Sequence, residues 1–192
     1  IEENGKQTLW VAIADVAHYI EPETLLDDEA RARATSVYLP HAVLPMLPSR
    51  LSDNLCSLRA KVPRLAMTVS MEIENDWTIG KVTAFESIIE VQENLSYEEA
   101  LDNPKFQNMM DLAKELRRNE IRLNLNSAEL RPRVLEDEIS VNVKWPNKAT
   151  EMIETFMVAT NNSIGILLGE KNAPLPWRSH APPDAPEVEE LN

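Results

Sequence analysis

The sequence has a single cysteine, no apolar run of membrane-spanning length and no excess of positive charge. One cysteine excludes an internal disulfide framework, predicts no disulfide-linked partner and fits the reducing cytoplasm. We interpret Cys56, between Leu55 and Ser57, as a small buried hydrophobe rather than a nucleophile. The lack of a long apolar run predicts no membrane partner. With 192 residues and no repeat or linker, the chain is long enough to form one large domain with a full core.

The net charge of -13 argues at first against a nucleic-acid partner, because affinity for phosphates comes from Lys and Arg. The charge is unevenly distributed, however. Residues 31–64 contain six basic side chains and one acid, Asp53, so this stretch carries +5 and the rest of the chain -18. We call the six side chains the basic island: Arg31, Arg33, Arg50, Arg59, Lys61 and Arg64. They either line a path for a nucleic acid or belong to a solvated helix face and to loops, and charge alone favours neither.

The first secondary-structure elements are a strand and a helix. Residues 9–16 are mostly apolar, which is typical of a strand buried on both faces, where Asp15 would need a partner. Pro22 ends this strand, and the helix predicted after it has Asp27 and Asp28 near its start. We interpret these acids as favourable charges in the first turn rather than as metal ligands, because no third acid joins them at a converging spacing.

The clearest alternation of apolar and polar residues runs through residues 64–74. A period of two predicts a strand with one face in the core and one face in solvent. Asn75 and Asp76 then form a turn, and residues 77–89 read as the antiparallel partner, with Gly80 as a candidate bulge.

Two helices are predicted from their capping signals. Ser96 and Glu99 have the spacing of a capping box, which begins a short helix. Asn103 and Pro104 supply the N-cap and first position of the next helix. An apolar stripe on that helix predicts that it faces the core, and its members are Phe106, Met109, Met110, Ala113 and Leu116.

The last third of the sequence predicts a loop, a strand and the longest helix. Residues 127–134 are interpreted as a polar, arginine-bearing loop, and residues 138–145 as a strand. Residues 148–168 have helical spacing, and one face of this helix consists of Ile153, Phe156, Met157, Thr160, Ile164 and Leu167. The predicted fold class is therefore α+β, with a mixed, largely antiparallel sheet and packed helices.

Residues 35–58 form an unusual proline-rich segment. Pro40, Pro45 and Pro48 recur among apolar residues, so the segment can be neither one long helix nor a central strand. We expect an ordered, mostly extended connection that ends in a turn and half-helix. An irregular segment of this length is uncommon in a compact domain unless a site requires it.

Four stretches carry a family resemblance. They are LWVAIADVAHYI at 9–20, YLPHAVLPMLPSRLSDNLCSL at 38–58, MIETFMVATNNSIGILL at 152–168 and PWRSHAPPD at 176–184. In this order they resemble the central part of the RNB catalytic domain of the ribonuclease II and ribonuclease R family. The resemblance implies that residues 1–192 are an internal portion of a single RNB domain.

The resemblance also implies an activity. Members of this family hydrolyse single-stranded RNA from its 3′ end to nucleoside 5′-monophosphates, with Mg²⁺ held by clustered aspartates. The aspartate motif lies upstream of the part that matches this chain, and a later motif supplies an arginine to the scissile phosphate. Neither motif is found here, so we assign no catalytic or metal-ligating residue. Mg²⁺ is expected only in the complete domain, and the isolated chain is expected to be inactive.

Candidate residues for holding RNA follow from the resemblance and from the basic island. Tyr38 matches the tyrosine that stacks on the 3′-terminal base, and the alternative is a tyrosine of the hydrophobic core. Arg50 and Arg59 are candidate phosphate contacts from the basic island.

Further candidates lie later in the chain. Leu130 and Arg131 stand where the family has an aromatic clamp, so an aromatic clamp is not expected; Arg131 is a candidate for phosphate contact or guanidinium stacking. Arg178 and His180 match a strand that runs beside the family's active centre. His18 lies in no nucleophile or metal-ligand spacing, and a structural role is favoured for it and for His180.

Two other functions remain open at the level of sequence. The first is an RNB relative that binds RNA without cutting it because its aspartate cluster has decayed. The second is an acidic protein-interaction domain without an RNA role, which only the overall charge supports.

Overall fold

The computed structural model describes residues 2–3, 6–118, 127–135 and 138–177. It contains eight strands in these residues: β1 Glu2–Glu3, β2 Lys6–Ala14, β3 Val37–Tyr38, β4 Val43–Leu44, β5 Pro63–Ile73, β6 Ile79–Glu90, β7 Glu129–Leu135 and β8 Glu138–Lys144. The α-helices of the same residues are α1 Leu25–Arg33, α2 Tyr97–Leu101, α3 Gln107–Arg118 and α4 Lys148–Glu170. A π-helix covers Arg50–Leu55, and short 3₁₀ turns cover Ala17–Tyr19 and Pro104–Phe106.

The main sheet is antiparallel and has the strand order β1-β2-β5-β6. The predicted hairpin forms as β5 and β6, and one extra residue in β6 shifts the register between Ile79 and Val82, where Gly80 lies. Helices α3 and α4 cover one face of the sheet. The core between them consists of Leu9, Val69, Met71, Ile73, Met110, Ala113, Leu116, Ala149, Met152 and Phe156. This arrangement confirms the α+β class.

The starts of α1 and α2 follow the predicted caps, whereas Asn103 and Pro104 begin the 3₁₀ turn Pro104–Phe106 that precedes α3. Ser96 and Glu99 form a complete capping box at α2. At α1, the Thr24 side chain accepts from Asp27 N, while Asp27 Oδ2 accepts from Glu23 N at 3.1 Å. The hydrogen bond from Arg31, together with that backbone bond, lowers the pKa of Asp27. Asp27 therefore acts in the cap, as predicted.

The burial of the sheet differs from two predictions. Strand β2 was expected to be buried on both faces, but Trp10 on its outer face is 48% exposed, because α3 and α4 cover only the opposite face. Strand β5 was expected to expose one face to solvent, yet Ala66 and Thr68 on that face are buried. Phe85 lies directly across from Thr68, and its ring meets Trp10 edge-on at 6.0 Å between centroids, which shields this part of the outer face.

Helix α4 buries Phe156 and Thr160 of the predicted apolar face, but it exposes Ile153 and buries Thr155, which that face did not include. Ile153 is 41% exposed, whereas Thr155 and Thr160 are almost fully buried. The threonine hydroxyls donate to Glu151 O at 2.8 Å and Phe156 O at 2.7 Å. Because these bonds satisfy the hydroxyls within the helix, both threonines can be buried without leaving a polar group unpaired.

Residues 127–134 were predicted to be a loop, and this prediction is wrong for most of the segment. Strand β7 pairs with β8 in an antiparallel hairpin, with Arg131 opposite Asn142 and Pro132 opposite Val141. Each strand of a two-stranded hairpin has one unpaired edge, where a proline is tolerated. Within the described residues, no helix combines the length and hydropathy that crossing a membrane requires.

Candidate nucleic-acid interface

The proline-rich segment forms a small hairpin that presents Tyr38. In this hairpin Tyr38 of β3 pairs with Val43 of β4, and Leu39 N donates to Ala42 O at 2.8 Å to close the turn. Tyr38 is 78% exposed, so its ring lies outside the core of the described residues. A flat, accessible ring of this kind can stack with a base or another planar group.

The base of the hairpin is tied to α1. Ser36 Oγ accepts from Met46 N at 2.9 Å, which joins the two ends of the hairpin. Arg33 reaches from α1 to Pro45 O at 3.2 Å. The extended connection predicted from the prolines is therefore ordered by polar contacts at its base, while its apolar side chains remain at the surface.

The hairpin leads into the six-residue π-helix Arg50–Leu55. Leu51 is buried and anchors this turn, and Cys56 N donates to Leu51 O at 2.8 Å. The Arg50 side chain is exposed, and its guanidinium forms no ion pair or hydrogen bond with another described residue. Single-turn π segments often mark functional sites, and this one places an unpaired guanidinium in solvent.

Cys56 follows the π-helix and is partly buried. Burial raises the pKa of its thiol, and the negative charge of Asp15 adds to this effect. A raised pKa leaves little thiolate at neutral pH, which argues against a nucleophilic role, but Cys56 is only partly buried and not the fully buried residue that was predicted. Asp15 itself accepts from His18 N at 3.2 Å, which stabilises the short turn after β2. The imidazole of the exposed His18 meets the Tyr19 ring edge-on.

The basic island divides into two parts. On α1, Arg31 pairs with Asp27 at 2.8 Å and Arg33 with Glu29 at 2.7 Å, so these charges are compensated. This half matches the interpretation of a solvated helix face.

The other half of the basic island lies in the π-helix and in the residues that follow it. Its charges are not balanced by an ion pair with any described residue. Arg59 Nη2 donates to Asp53 O at 2.9 Å, and Arg64 donates to Ser57 O and Asn54 Oδ1, each at 3.1 Å. Carbonyl and amide oxygens orient these guanidinium groups without neutralising them. With Arg50 and Lys61, four cations stand against the single acid Asp53 in residues 50–64.

The structure separates Arg131 from this cluster. Arg131 is exposed on β7, and its Nη2 lies 2.8 Å from Glu129 Oε2, where the hydrogen bond lowers the pKa of Glu129. Lys144 of β8 connects the β7–β8 hairpin to α2. Its Nζ lies 3.3 Å from Glu98 Oε1 and 5.4 Å from the centroid of the Tyr97 ring. No contact among the described residues joins Arg131 to Tyr38 or the π-helix, and its role in binding RNA stays a prediction.

Arg178 and His180 lie outside the described residues, and their roles also stay predictions. The preceding Trp177 packs against two glycines one turn apart on α4. A methyl group at Gly165 or Gly169 would stand 3.4 Å from the indole ring. Because the two glycines have no side chain, the indole ring can pack closely against this part of α4.

No sequence pattern indicates the role of Asn94, whose side chain holds the backbone on both sides of Arg59. Its side chain accepts from Ala60 N at 2.6 Å and donates to Leu58 O at 2.9 Å. These partners are 34 and 36 residues away in sequence, so local composition carries no signal for the contact.

The chain is similar to known ribonucleases. It is 34% identical to Ribonuclease R of Thermotoga maritima, over 98% of this chain and 29% of that protein. It is 38% identical to Exosome complex exonuclease RRP44 homolog A of Arabidopsis thaliana, over 84% of this chain and 19% of that protein. Its structure matches Mycoplasma genitalium RNase R in complex with ribose methylated single-stranded RNA with a TM-score of 0.86 and 29% identity, covering 96% of this chain and 32% of that one.

The chain thus spans less than a third of the length of these relatives. The family described as RNB domain matches residues 1–192. On this match, and on the agreement in sequence and fold, the chain belongs to the RNB domain family.

Proposed function

We propose that this chain is the RNA-holding part of a hydrolytic exoribonuclease that degrades single-stranded RNA from its 3′ end to nucleoside 5′-monophosphates. The observation that carries the proposal is the continuous segment from Tyr38 to Arg59. It presents an exposed aromatic ring and then uncompensated guanidinium groups. An aromatic face binds any base by stacking, and cations follow the phosphates, which together suit single-stranded RNA.

In this proposal the hairpin and the π-helix have separate tasks. Tyr38 stacks on the terminal base and sets how short an RNA is still held. Arg50 and Arg59 contact phosphates, and their affinity does not depend on the base sequence. Arg131 and Arg178 are proposed as further contacts along the RNA. We place the enzyme in the cytoplasm, which suits the free thiol of Cys56.

The family resemblance implies Mg²⁺, which in such enzymes activates the attacking water and stabilises the leaving oxygen. Among the described residues, no group of three or more His, Cys, Asp or Glu side chains could hold a metal ion. These residues therefore do not fit the ion. We propose that Mg²⁺ acts in the complete enzyme with ligands outside the described part of the chain.

The 192-residue chain alone is expected to leave RNA intact. The reason is that the described residues supply no site at which a divalent ion could activate water. The measurement is incubation of the purified chain with end-labelled poly(A) and Mg²⁺, followed by separation of the products on a gel. Release of mononucleotides that requires Mg²⁺ and persists through repurification would contradict this expectation.

Reversing the charges at Arg50 and Arg59 should weaken the salt dependence of RNA binding. For single strands, each lost phosphate contact lowers the slope of log K against log salt by about 0.7. The measurement is fluorescence anisotropy of a labelled poly(A) oligonucleotide in EDTA, over a series of KCl concentrations, with R50E and R59E in the complete enzyme.

The matched control is the pair R31E and R33E, which changes the net charge equally at the ion-paired half of the island. Its slope should stay closer to that of the parent enzyme. Equal slopes for the parent and the R50E/R59E variant would remove these residues from the RNA path. A complete enzyme that binds RNA but releases no mononucleotides with Mg²⁺ would be an RNA-binding module rather than a nuclease.

A further inference from the structure

Asn94 connects the loop after β6 to the backbone on both sides of Arg59. Its Oδ1 accepts from Ala60 N at 2.6 Å, and its Nδ2 donates to Leu58 O at 2.9 Å. One amide therefore engages the residue before Arg59 and the residue after it. This is the pattern that a neighbouring strand would provide, supplied here by a single side chain.

Backbone contacts extend this connection. Lys61 N donates to Val91 O at 2.7 Å, and Ala60 and Val91 form an isolated parallel bridge. Arg59 N also donates to Ser57 O at 2.8 Å. The backbone that carries Arg59 is thus attached to the end of the main sheet, while its guanidinium is directed by Asp53 O.

We propose that Asn94 is a positioning residue for RNA binding: it holds the backbone at Arg59 so that the guanidinium meets a phosphate without first being ordered. The inference rests on the proposed function, in which Arg59 contacts RNA. Arginine loses much rotamer freedom when it is fixed, and a flexible backbone would add to that entropy cost on binding. A backbone that is already held removes this part of the cost.

The proposal makes a prediction that a general stabilising role does not make. If Asn94 acts through Arg59, removing its amide should weaken RNA binding only while the Arg59 guanidinium is present. If Asn94 merely stabilises the fold, N94A should have the same effect with and without that guanidinium. A double-mutant cycle separates the two roles.

The experiment uses the complete enzyme and a labelled poly(A) oligonucleotide in EDTA, so that RNA is bound but not cut. The proteins are the parent, R59Q, N94A, R59Q/N94A and the control Q92A. Gln92 lies in the same loop, but the only hydrogen bond of its side chain to a described residue is a long one, to Glu90 O at 3.5 Å. The dissociation constant is measured over a series of KCl concentrations, and a thermal melt of each protein reports its folding.

R59Q is expected to raise the dissociation constant roughly tenfold and to lower the salt slope by about 0.7, as loss of one charge-assisted phosphate contact predicts. In the parent background, N94A should produce part of the rise in the dissociation constant and part of the fall in the salt slope. In the R59Q background, N94A should add little to either. Q92A should leave both unchanged. If N94A lowers the melting temperature strongly, N94D keeps the oxygen that accepts from Ala60 N and loses only the donor to Leu58 O. At high salt, where its added charge is screened, its dissociation constant should fall between those of N94A and the parent.

Two results overturn the inference in different ways. If R59Q weakens binding but N94A has no effect, or has the same effect in both backgrounds, Asn94 does not position Arg59 and the proposed function stands. If R59Q changes neither the dissociation constant nor the slope, the phosphate contact of Arg59 is wrong, and the inference falls with it.

Discussion

Tyr38→Ala in the complete enzyme is expected to degrade long single-stranded RNA but to release its final products at a longer length than the parent. A base stacked on an aromatic ring contributes about 1 to 3 kcal/mol of binding, so loss of the ring should weaken the hold on the 3′ end about 5- to 150-fold. Long RNA keeps its other contacts, whereas short RNA depends more on this one. The measurement is the length of the end products on a gel, for substrates of several lengths.

Two variants serve as controls for Tyr38. Tyr38→Phe keeps the ring and should give end products close to those of the parent, which separates stacking from a hydrogen bond of the hydroxyl. Val43→Ala changes the residue paired directly with Tyr38 in the hairpin while keeping the ring. It should also leave the end-product length nearly unchanged.

Thermal melts of the same proteins test the alternative of a structural tyrosine. Replacing a large aromatic residue of the core by alanine lowers the free energy of unfolding by about 3 to 5 kcal/mol. Because Tyr38 is 78% exposed, Tyr38→Ala should melt close to the parent. A lowered melting temperature together with unchanged end products would mean that Tyr38 supports the fold and does not hold RNA.

Phe156→Ala should be the most destabilising of the substitutions considered. Phe156 lies in the core between α4, α3 and the main sheet, where a cavity would remain after truncation. We expect a loss of about 3 to 5 kcal/mol in the free energy of unfolding. Small domains are stable by only about 5 to 15 kcal/mol, so a large part of the total stability depends on this side chain. Urea denaturation of the 192-residue chain measures the loss.

Ile166→Ala is the control for Phe156 on the same helix. Ile166 is 66% exposed, and its truncation should cost about 0.5 kcal/mol or less. If Phe156→Ala and Ile166→Ala have similar urea midpoints, α4 does not pack against the sheet through Phe156. A changed urea slope in Phe156→Ala would instead indicate that the compactness of the native or unfolded state has changed.

The elements that sequence predicts best are those specified by a few neighbouring residues. The caps at Asp27 and Ser96 need only side chains within four positions of the helix start. The alternation in β5 and the stripe of α3 are periodic, and the residues of α3 that are buried belong to the predicted stripe. The resemblance to the RNB family likewise rests on motifs that are visible in the sequence itself.

The candidate site could be predicted in part. The motif that carries the family resemblance contains Tyr38, and counting charges identified the basic island. Sequence did not separate Arg31, which pairs with Asp27 within one helix, from Arg50, which has no partner among the described residues. It also placed Arg131 in a loop, whereas the pairing of β7 with β8 puts it on a strand with its charge held by Glu129.

Sequence by itself determined the family, the order of most helices and strands, and the segment on which the candidate site lies. Only the tertiary structure decided which side chains are covered and which charges remain uncompensated. The burial of Thr68 depends on Ser87, Phe85 and Trp10 from neighbouring strands. The position of the backbone at Arg59 depends on hydrogen bonds from Asn94, whose partners are 34 and 36 residues away in sequence. Caps and periodicity are properties of adjacent residues, but burial and long-range hydrogen bonds exist only once distant segments have packed together.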